Sequence, residues 1–107
     1  MGKQKTHIIQ DKGEVAIDFP EKFYMGSFSR DGKFEARAEN DGLFIKLTRG
    51  AGEKREVQVH LHHHLLADIL SEWAVSLRHQ PAMDPGHREN LCTALKQVEK
   101  ALGKTKS

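Results

Sequence analysis

Four histidines lie close together within "VQVHLHHHLLADIL", residues 57–70, where an alternating pattern changes to a helical one. His60 and His62 are two residues apart, so on a strand both imidazoles leave the same face. His64 follows at the start of the predicted helix. Imidazole is a ligand for Zn²⁺, Ni²⁺ and Cu²⁺. The spacing therefore indicates a candidate metal site at His60, His62 and His64.

The sequence offers no further ligand to complete the candidate metal site. A catalytic zinc site uses three protein ligands and a structural site four, and neither Asp68 nor Glu72 completes a HExxH pattern. The alternative is a polar junction at which histidines cover the end of a strand. We therefore expect no resident cofactor, only an incidental affinity of the histidine cluster for a divalent transition metal.

Basic and aromatic side chains share the polar face of the predicted sheet. Such a face can stack bases and hold phosphates, but the same composition suits contact with a second protein. A solvated sheet surface whose aromatic residues pair across strands is the third interpretation. The loop "RGAGEKR" adds flexible glycines between basic residues. The candidate contact residues are Arg37, Phe44, Lys46, Arg49, Lys54, Arg55 and His60.

The sequence contains no recognisable catalytic pattern. It has no nucleophile elbow, paired-carboxylate pattern or dinucleotide fingerprint, and "GKT" at 103–105 lacks the earlier glycine of a phosphate loop because residue 98 is Val. Cys92 lies beside an apolar helical stripe, and no neighbouring base can be assigned to activate it. We therefore expect a non-enzymatic protein with no catalytic residue.

The elements that position these residues follow from periodicity. "EVAIDF", "LFIKLTR" and "REVQVHLH" alternate in the manner of half-buried strands, and Asp31-Gly32 and Asn40-Asp41-Gly42 are hairpin signals. Apolar residues then recur at helical spacing over residues 64–79. Asp84 followed by Pro85 predicts the start of a second helix over 85–102.

Strands first and helices last predict an α+β fold, an antiparallel four- to five-stranded β-meander followed by two C-terminal α-helices packed on one face of the sheet. Residues 13–103 would form one domain, with strands over about 14–62 and helices over about 64–79 and 85–102. Residues 1–12 would be loose, and 104–107 would form a charged tail. The aliphatics expected beneath the helices are Val15, Ile17, Leu43, Ile45, Leu47, Val57, Val59 and Leu61.

Composition limits the class of protein. The 107 residues are 37% hydrophobic and 30% charged, with a net charge of +2 and a single cysteine. This balance predicts one globular domain without an internal disulfide. No apolar run approaches the ~18 residues of a membrane span, and the first residues do not resemble a signal peptide. We therefore expect a cytoplasmic protein with no membrane contact.

These observations favour a non-enzymatic binding module of unknown process whose open sheet face contacts a second copy of itself or another protein. The alternative is a module that binds single-stranded nucleic acid through the basic and aromatic residues of that face. A histidine-based metal site at the strand–helix junction is the second alternative. The Leu91–Leu102 stripe of the second helix would pair across a dimer if it exceeds what one small core can cover.

Overall fold

The structure, a computed structural model, describes residues 6–50 and 55–103. Six strands precede two helices in these residues, which confirms the α+β class. The elements are β1 (His7–Ile8), β2 (Gly13–Asp18), β3 (Phe23–Phe28), β4 (Gly32–Glu39), β5 (Gly42–Arg49), β6 (Arg55–His62), α1 (His63–Arg78) and α2 (Pro85–Gly103).

The strands form two antiparallel sheets rather than one continuous meander. One sheet has the order β1-β4-β5-β6, and the other contains only β2 and β3. The hairpin that Asp31-Gly32 was expected to form between β3 and β4 is therefore absent, because β3 pairs with β2. A turn closed by Gly32 N donating to Ser29 O, 2.8 Å away, separates the two sheets instead.

The short strand β1 comes from the segment 1–12, which was expected to be loose. His7 pairs with Phe34 of β4, and their rings lie 5.3 Å apart. The backbone N of Ile9 donates to Gly32 O at 3.1 Å, and the Ile9 side chain is buried. The polar surroundings of Ile8 and Ile9 obscured this pairing, because two apolar residues are too few to show a period.

The register of the larger sheet separates an apolar face from a polar face. On the apolar face Ala36, Ile45 and Val59 stand in one row across β4, β5 and β6. On the polar face the corresponding row is Arg37, Phe44 and His60. The alternation in the sequence predicts this division, because successive side chains of a strand point to opposite faces.

Burial among the described residues is limited to a few positions. Ile9, Phe28 and the carboxylate of Glu35 are the buried large side chains. None of the eight aliphatics expected to form the core is buried; Ile17 and Val59 are exposed, and the other six are half-buried. Neither α1 nor α2 has a buried residue.

Gly42 allows the turn between β4 and β5 to lie against β6. A Cβ added at Gly42 would lie 2.0 Å from the carbonyl oxygen of Leu61. Only a residue without a side chain can occupy this position unless the backbone moves. The predicted Asn40-Asp41-Gly42 turn is therefore formed, and its glycine is required by the close approach of the neighbouring strand.

The chain divides into two compact units, Met1–Ser71 and Glu72–Ser107, and the division falls inside α1. In the first unit, His63 N donates to Asp41 O at 2.9 Å, which ties the start of α1 to the β4–β5 turn. In the second unit, Asp84 caps α2 by accepting from His87 N at 3.1 Å. Asp84-Pro85 therefore begins α2 as the sequence predicts.

Candidate functional site

The predicted contact residues Arg37, Phe44 and His60 share one row of the polar sheet face. The guanidinium carbon of Arg37 lies 4.2 Å from the centroid of the Phe44 ring, a cation–π contact. Arg37 also donates through Nε to Glu39 at 2.7 Å and through Nη1 to Glu35. The structure thus assembles this row, and acidic neighbours compensate the charge of Arg37.

The hydrogen bond to Glu39 is the main reason why the pKa of Arg37 lies above its ordinary value. Partial removal of the guanidinium from water opposes this rise, and Glu35 adds to it. Arginine is protonated throughout the physiological range in any case. The consequence is geometric: the guanidinium is held over Phe44 by two carboxylates.

Glu35 has only 2% of its side chain exposed and lies between two cations. Besides Arg37, Lys46 approaches its Oε1 with Nζ at 4.0 Å. A buried carboxylate is costly unless opposite charges and hydrogen bonds compensate for the lost water. Lys46, another predicted contact residue, is therefore engaged with a buried group of the same face.

Two further predicted contact residues, Arg49 and Arg55, lie at the far end of β5 and β6. Arg49 and Arg55 are opposite each other in the register, and Nε of Arg49 lies 3.6 Å from Oδ2 of Asp31. Lys54 lies outside the described residues. Among the described basic residues of this set, Arg37, Lys46 and Arg49 each face a carboxylate, which leaves little uncompensated positive charge for a phosphate.

Asp41, His60 and His62 form a compact cluster at the strand–helix junction. Nε2 of His60 donates to Oδ1 of Asp41 at 2.9 Å, and Nε2 of His62 lies 3.6 Å from Oδ2. The two imidazole centroids are 4.8 Å apart. The third candidate from the sequence, His64, is not in this cluster, because its Nε2 faces Asp68 on the same helix at 3.9 Å.

The electrostatics of Asp41 reflect two opposing effects. Partial removal from water alone would raise the pKa of the Asp41 carboxyl. The hydrogen bond from His60 and the charge of His62 outweigh this, so its pKa lies below the ordinary value of 3.8. Asp41 is thus a carboxylate at neutral pH, and it presents two oxygens to the histidine pair.

Sequence reasoning missed Asp41 as a member of the cluster. It was assigned only to a turn, since the sequence does not give the strand order. The register supplies the missing link, because Gly42 is opposite His62 and the preceding residue, Asp41, adjoins the end of β6. A turn that joins two strands can contribute a ligand to the neighbouring strand once the pairing is known.

The helices present large apolar side chains to solvent. Four of these residues on α2, Leu91, Leu95, Val98 and Leu102, have between 37% and 73% of their surface exposed. On α1 the exposed set is Leu65, Ile69, Leu70, Trp73, Val75 and Leu77. Monomeric proteins rarely expose contiguous apolar patches larger than a few hundred Å². These helical faces are therefore candidate contact surfaces.

A shallow apolar cleft of about 410 Å³ lies beside the β2–β3 hairpin. Val15, Tyr24, Phe28 and Val57 form part of its lining. Among its described lining residues, Arg55 and Glu56 are the charged ones.

Comparisons with known proteins give no relative. No protein-family model matches the chain, and neither the curated proteins nor the solved structures contain a significant match. No helix in the described part of the chain is both long enough and apolar enough to cross a bilayer. The functional argument therefore depends on the geometry of the chain itself.

Proposed function

We propose that this protein is a non-enzymatic interaction module that forms a homodimer through the apolar faces of α1 and α2. One observation carries the proposal: neither helix has a buried residue, and ten of their large apolar side chains are exposed. Exposed apolar surface of this extent is typical of an interface.

The spacing of the apolar residues on α2 supports contact with other helices. Leu91, Leu95, Val98 and Leu102 follow one another at intervals of four, three and four residues. This is the spacing of core positions in helical bundles and coiled coils. Ala94 and Ala101 widen the stripe on one side, which is typical of a helix that contacts more than one neighbour.

Helix α1 carries the same spacing. Leu66, Leu70, Trp73 and Leu77 again follow at intervals of four, three and four, and Ile69 widens the stripe. A second copy of the chain brings an identical pair of stripes, so a symmetric dimer offers each apolar face a matching face. The net charge of +2 is too small to oppose such self-association strongly.

The exposed apolar area of the helices supports a dimer, although Val75, two residues after Trp73, lies outside the α1 stripe. The ten exposed apolar side chains of the helices each have more than a third of their surface open. Together they offer several hundred Å², on the order of the ~800 Å² that each partner contributes to a standard interface. Transfer of this surface from water supplies the driving force at roughly 25 cal/mol per Å² before the cost of association.

The basic residues of the polar sheet face already contact carboxylates, which supports the helices as the contact surface. A nucleic acid that approached Arg37, Lys46 or Arg49 would have to compete with Glu35, Glu39 and Asp31. Binding to nucleic acid is favoured when protein cations release the counterions condensed on its phosphates. Cations that already pair with carboxylates contribute less to this release. The proposal therefore assigns the contact to the helices. It also places the protein in the cytoplasm, where the single cysteine, Cys92, stays a thiol.

Sedimentation equilibrium of charge variants tests the proposal. Leu95→Glu places a carboxylate within the α2 stripe and is expected to weaken dimerisation roughly 30-fold or more, since a charge would have to be buried unpaired. Thr93→Glu adds a carboxylate on the opposite side of α2 and should leave the dimer intact. Circular dichroism verifies that both variants keep their helices.

A third variant distinguishes the helices from the sheet as the contact surface. Phe44→Ala removes the aromatic ring from the centre of the polar sheet face. The proposal expects no change in dimerisation. A wild-type chain that remains a monomer at high concentration would overturn the proposal, as would a dimer that Phe44→Ala dissociates and Leu95→Glu does not.

A further inference from the structure

The Asp41–His60–His62 cluster at the strand–helix junction combines residue types that bind transition metals. Its three potential ligand atoms all lie within 4.8 Å of one another. Two imidazole nitrogens and one carboxylate oxygen are a common donor set for divalent ions of intermediate softness, Zn²⁺ among them.

The spacing of the donor atoms already approaches that of a bound ion. In a tetrahedral zinc site with bonds of about 2.0–2.1 Å, neighbouring ligand atoms are about 3.3 Å apart. Asp41 Oδ1 and His60 Nε2 are 2.9 Å apart, and Asp41 Oδ2 and His62 Nε2 are 3.6 Å apart. These two distances involve different carboxylate oxygens. When each residue offers a single ligand atom, the three atoms lie within 4.8 Å of one another, so an ion would draw the widest pair together by up to about 1.5 Å.

The backbone fixes the positions from which the three side chains extend. His60 and His62 leave the same face of β6, opposite Phe44 and Gly42 of β5. Asp41 is held at the start of β5, where its carbonyl oxygen accepts from His63 N at 2.9 Å. Because these are sheet and helix-start hydrogen bonds, an ion would bind without ordering a loop.

Exposure of the cluster leaves room for the rest of the coordination shell. The side chains of His60, His62 and Asp41 are 41%, 65% and 53% exposed. Water can therefore occupy the positions that the protein does not fill, as in three-ligand zinc sites. The carboxylate accepts a hydrogen bond from Nε2 of His60, so Nε2 must give up its proton, to solvent or by a tautomer change to Nδ1, before it binds an ion.

We propose that Asp41, His60 and His62 form a binding site for a divalent transition-metal ion of the zinc class. The ion takes one carboxylate oxygen and the Nε2 atoms of both histidines, and water completes its shell. It replaces the hydrogen bond between Asp41 and His60 and links the β4–β5 turn to the end of β6. His64 is not a ligand, because its imidazole faces Asp68 instead.

The test uses the untagged chain and ZnCl₂ in isothermal titration calorimetry. One Zn²⁺ per chain is expected to bind the wild type, and Asp41→Ala, His60→Ala and His62→Ala should each weaken binding at least tenfold. His64→Ala is the matched control and should bind as the wild type does. Binding in the millimolar range that none of the four variants changes would overturn the proposal, as would equal loss in His64→Ala.

A second measurement needs no variant and remains informative if one of them fails to fold. Zn²⁺ is titrated into the wild type while the histidine ring resonances are followed by NMR. The resonances of His60 and His62 should move together and saturate at one equivalent, and those of His64, His79 and His87 should not. Shifts centred on His64, or on the separate Asp84–His87 pair, would contradict the assignment.

Discussion

The Nε2 atom of His60 lies 2.9 Å from Oδ1 of Asp41, although the two residues are 19 positions apart in the chain. The contact joins the turn between β4 and β5 to β6, the last strand of the same sheet. His62 contributes a second nitrogen from the same face, 3.6 Å from the other carboxylate oxygen. The sequence shows only that the strand–helix junction is rich in histidine. The structure shows that Asp41 and two of these histidines form a cluster.

Acid should weaken the fold partly through Asp41. Its folded-state pKa lies below the ordinary value of 3.8, so its interactions stabilise the protein above that value and are lost as pH falls through the folded-state pKa. Asp41→Asn should therefore flatten the dependence of the urea midpoint on pH in this acidic window. Identical slopes for the wild type and Asp41→Asn at equal protein concentration would show that the pairing does not contribute.

Among the apolar side chains of the unit Met1–Ser71, Phe28 should contribute most to the free energy of unfolding. It is 1% exposed, whereas Phe23 on the same strand is 59% exposed. Phe28→Ala should lower the free energy of unfolding by about 3–5 kcal/mol, because it leaves a cavity that the surroundings fill only in part. The matched Phe23→Ala should cost only about 0.5 kcal/mol. Urea denaturation of both variants at one protein concentration measures the difference, and similar losses would contradict this burial.

Glu35 should be required for charge compensation on the polar sheet face. Glu35→Ala removes a carboxylate that is 2% exposed and lies against Arg37 and Lys46. The loss should be about 1–2 kcal/mol, less than for a fully buried pair, because both cations can regain contact with water. Glu56→Ala, an exposed carboxylate on β6, is the control and should change stability by no more than about 0.5 kcal/mol. Equal effects would mean that Glu35 is not specially placed.

Gly42 should tolerate no side chain. In Gly42→Ala the new methyl group would lie 2.0 Å from Leu61 O, so β5 and β6 must separate locally. We expect a loss of at least about 2 kcal/mol, comparable to overpacking in a core. Gly50→Ala introduces its methyl group where no described atom lies within 4 Å and should be nearly neutral. Thermal unfolding of the two variants compares them, and a stable Gly42→Ala would mean that the turn lies farther from β6.

The sequence predicts the local elements of this chain better than their assembly. Alternation identifies β5 and β6, and the Asp84-Pro85 start gives α2 its first residue. The separation of β2 and β3 into their own sheet was not predicted, because Asp31-Gly32 has the composition of a hairpin whether or not its flanking strands pair. Periodicity shows which side of a strand is apolar, but it does not show what covers that side.

The candidate site shows the same limit. Two members of the metal cluster, His60 and His62, follow from the period of a strand. The third, Asp41, depends on which strands are neighbours, and that is a long-range property of the sheet. His64 has the right residue type and is close in sequence, but the start of α1 directs its imidazole toward Asp68.

Trp73, the only tryptophan, reports most directly on the central claim that the helical apolar faces meet a second copy. It lies on the α1 stripe and is 38% exposed in the single chain. Acrylamide quenching should show Trp73 shielded in the wild type at concentrations where its sedimenting mass is twice 12.1 kDa, and accessible in the Leu95→Glu monomer. Equal quenching in the two proteins, with the wild type sedimenting as a 12.1 kDa monomer, would contradict the claim.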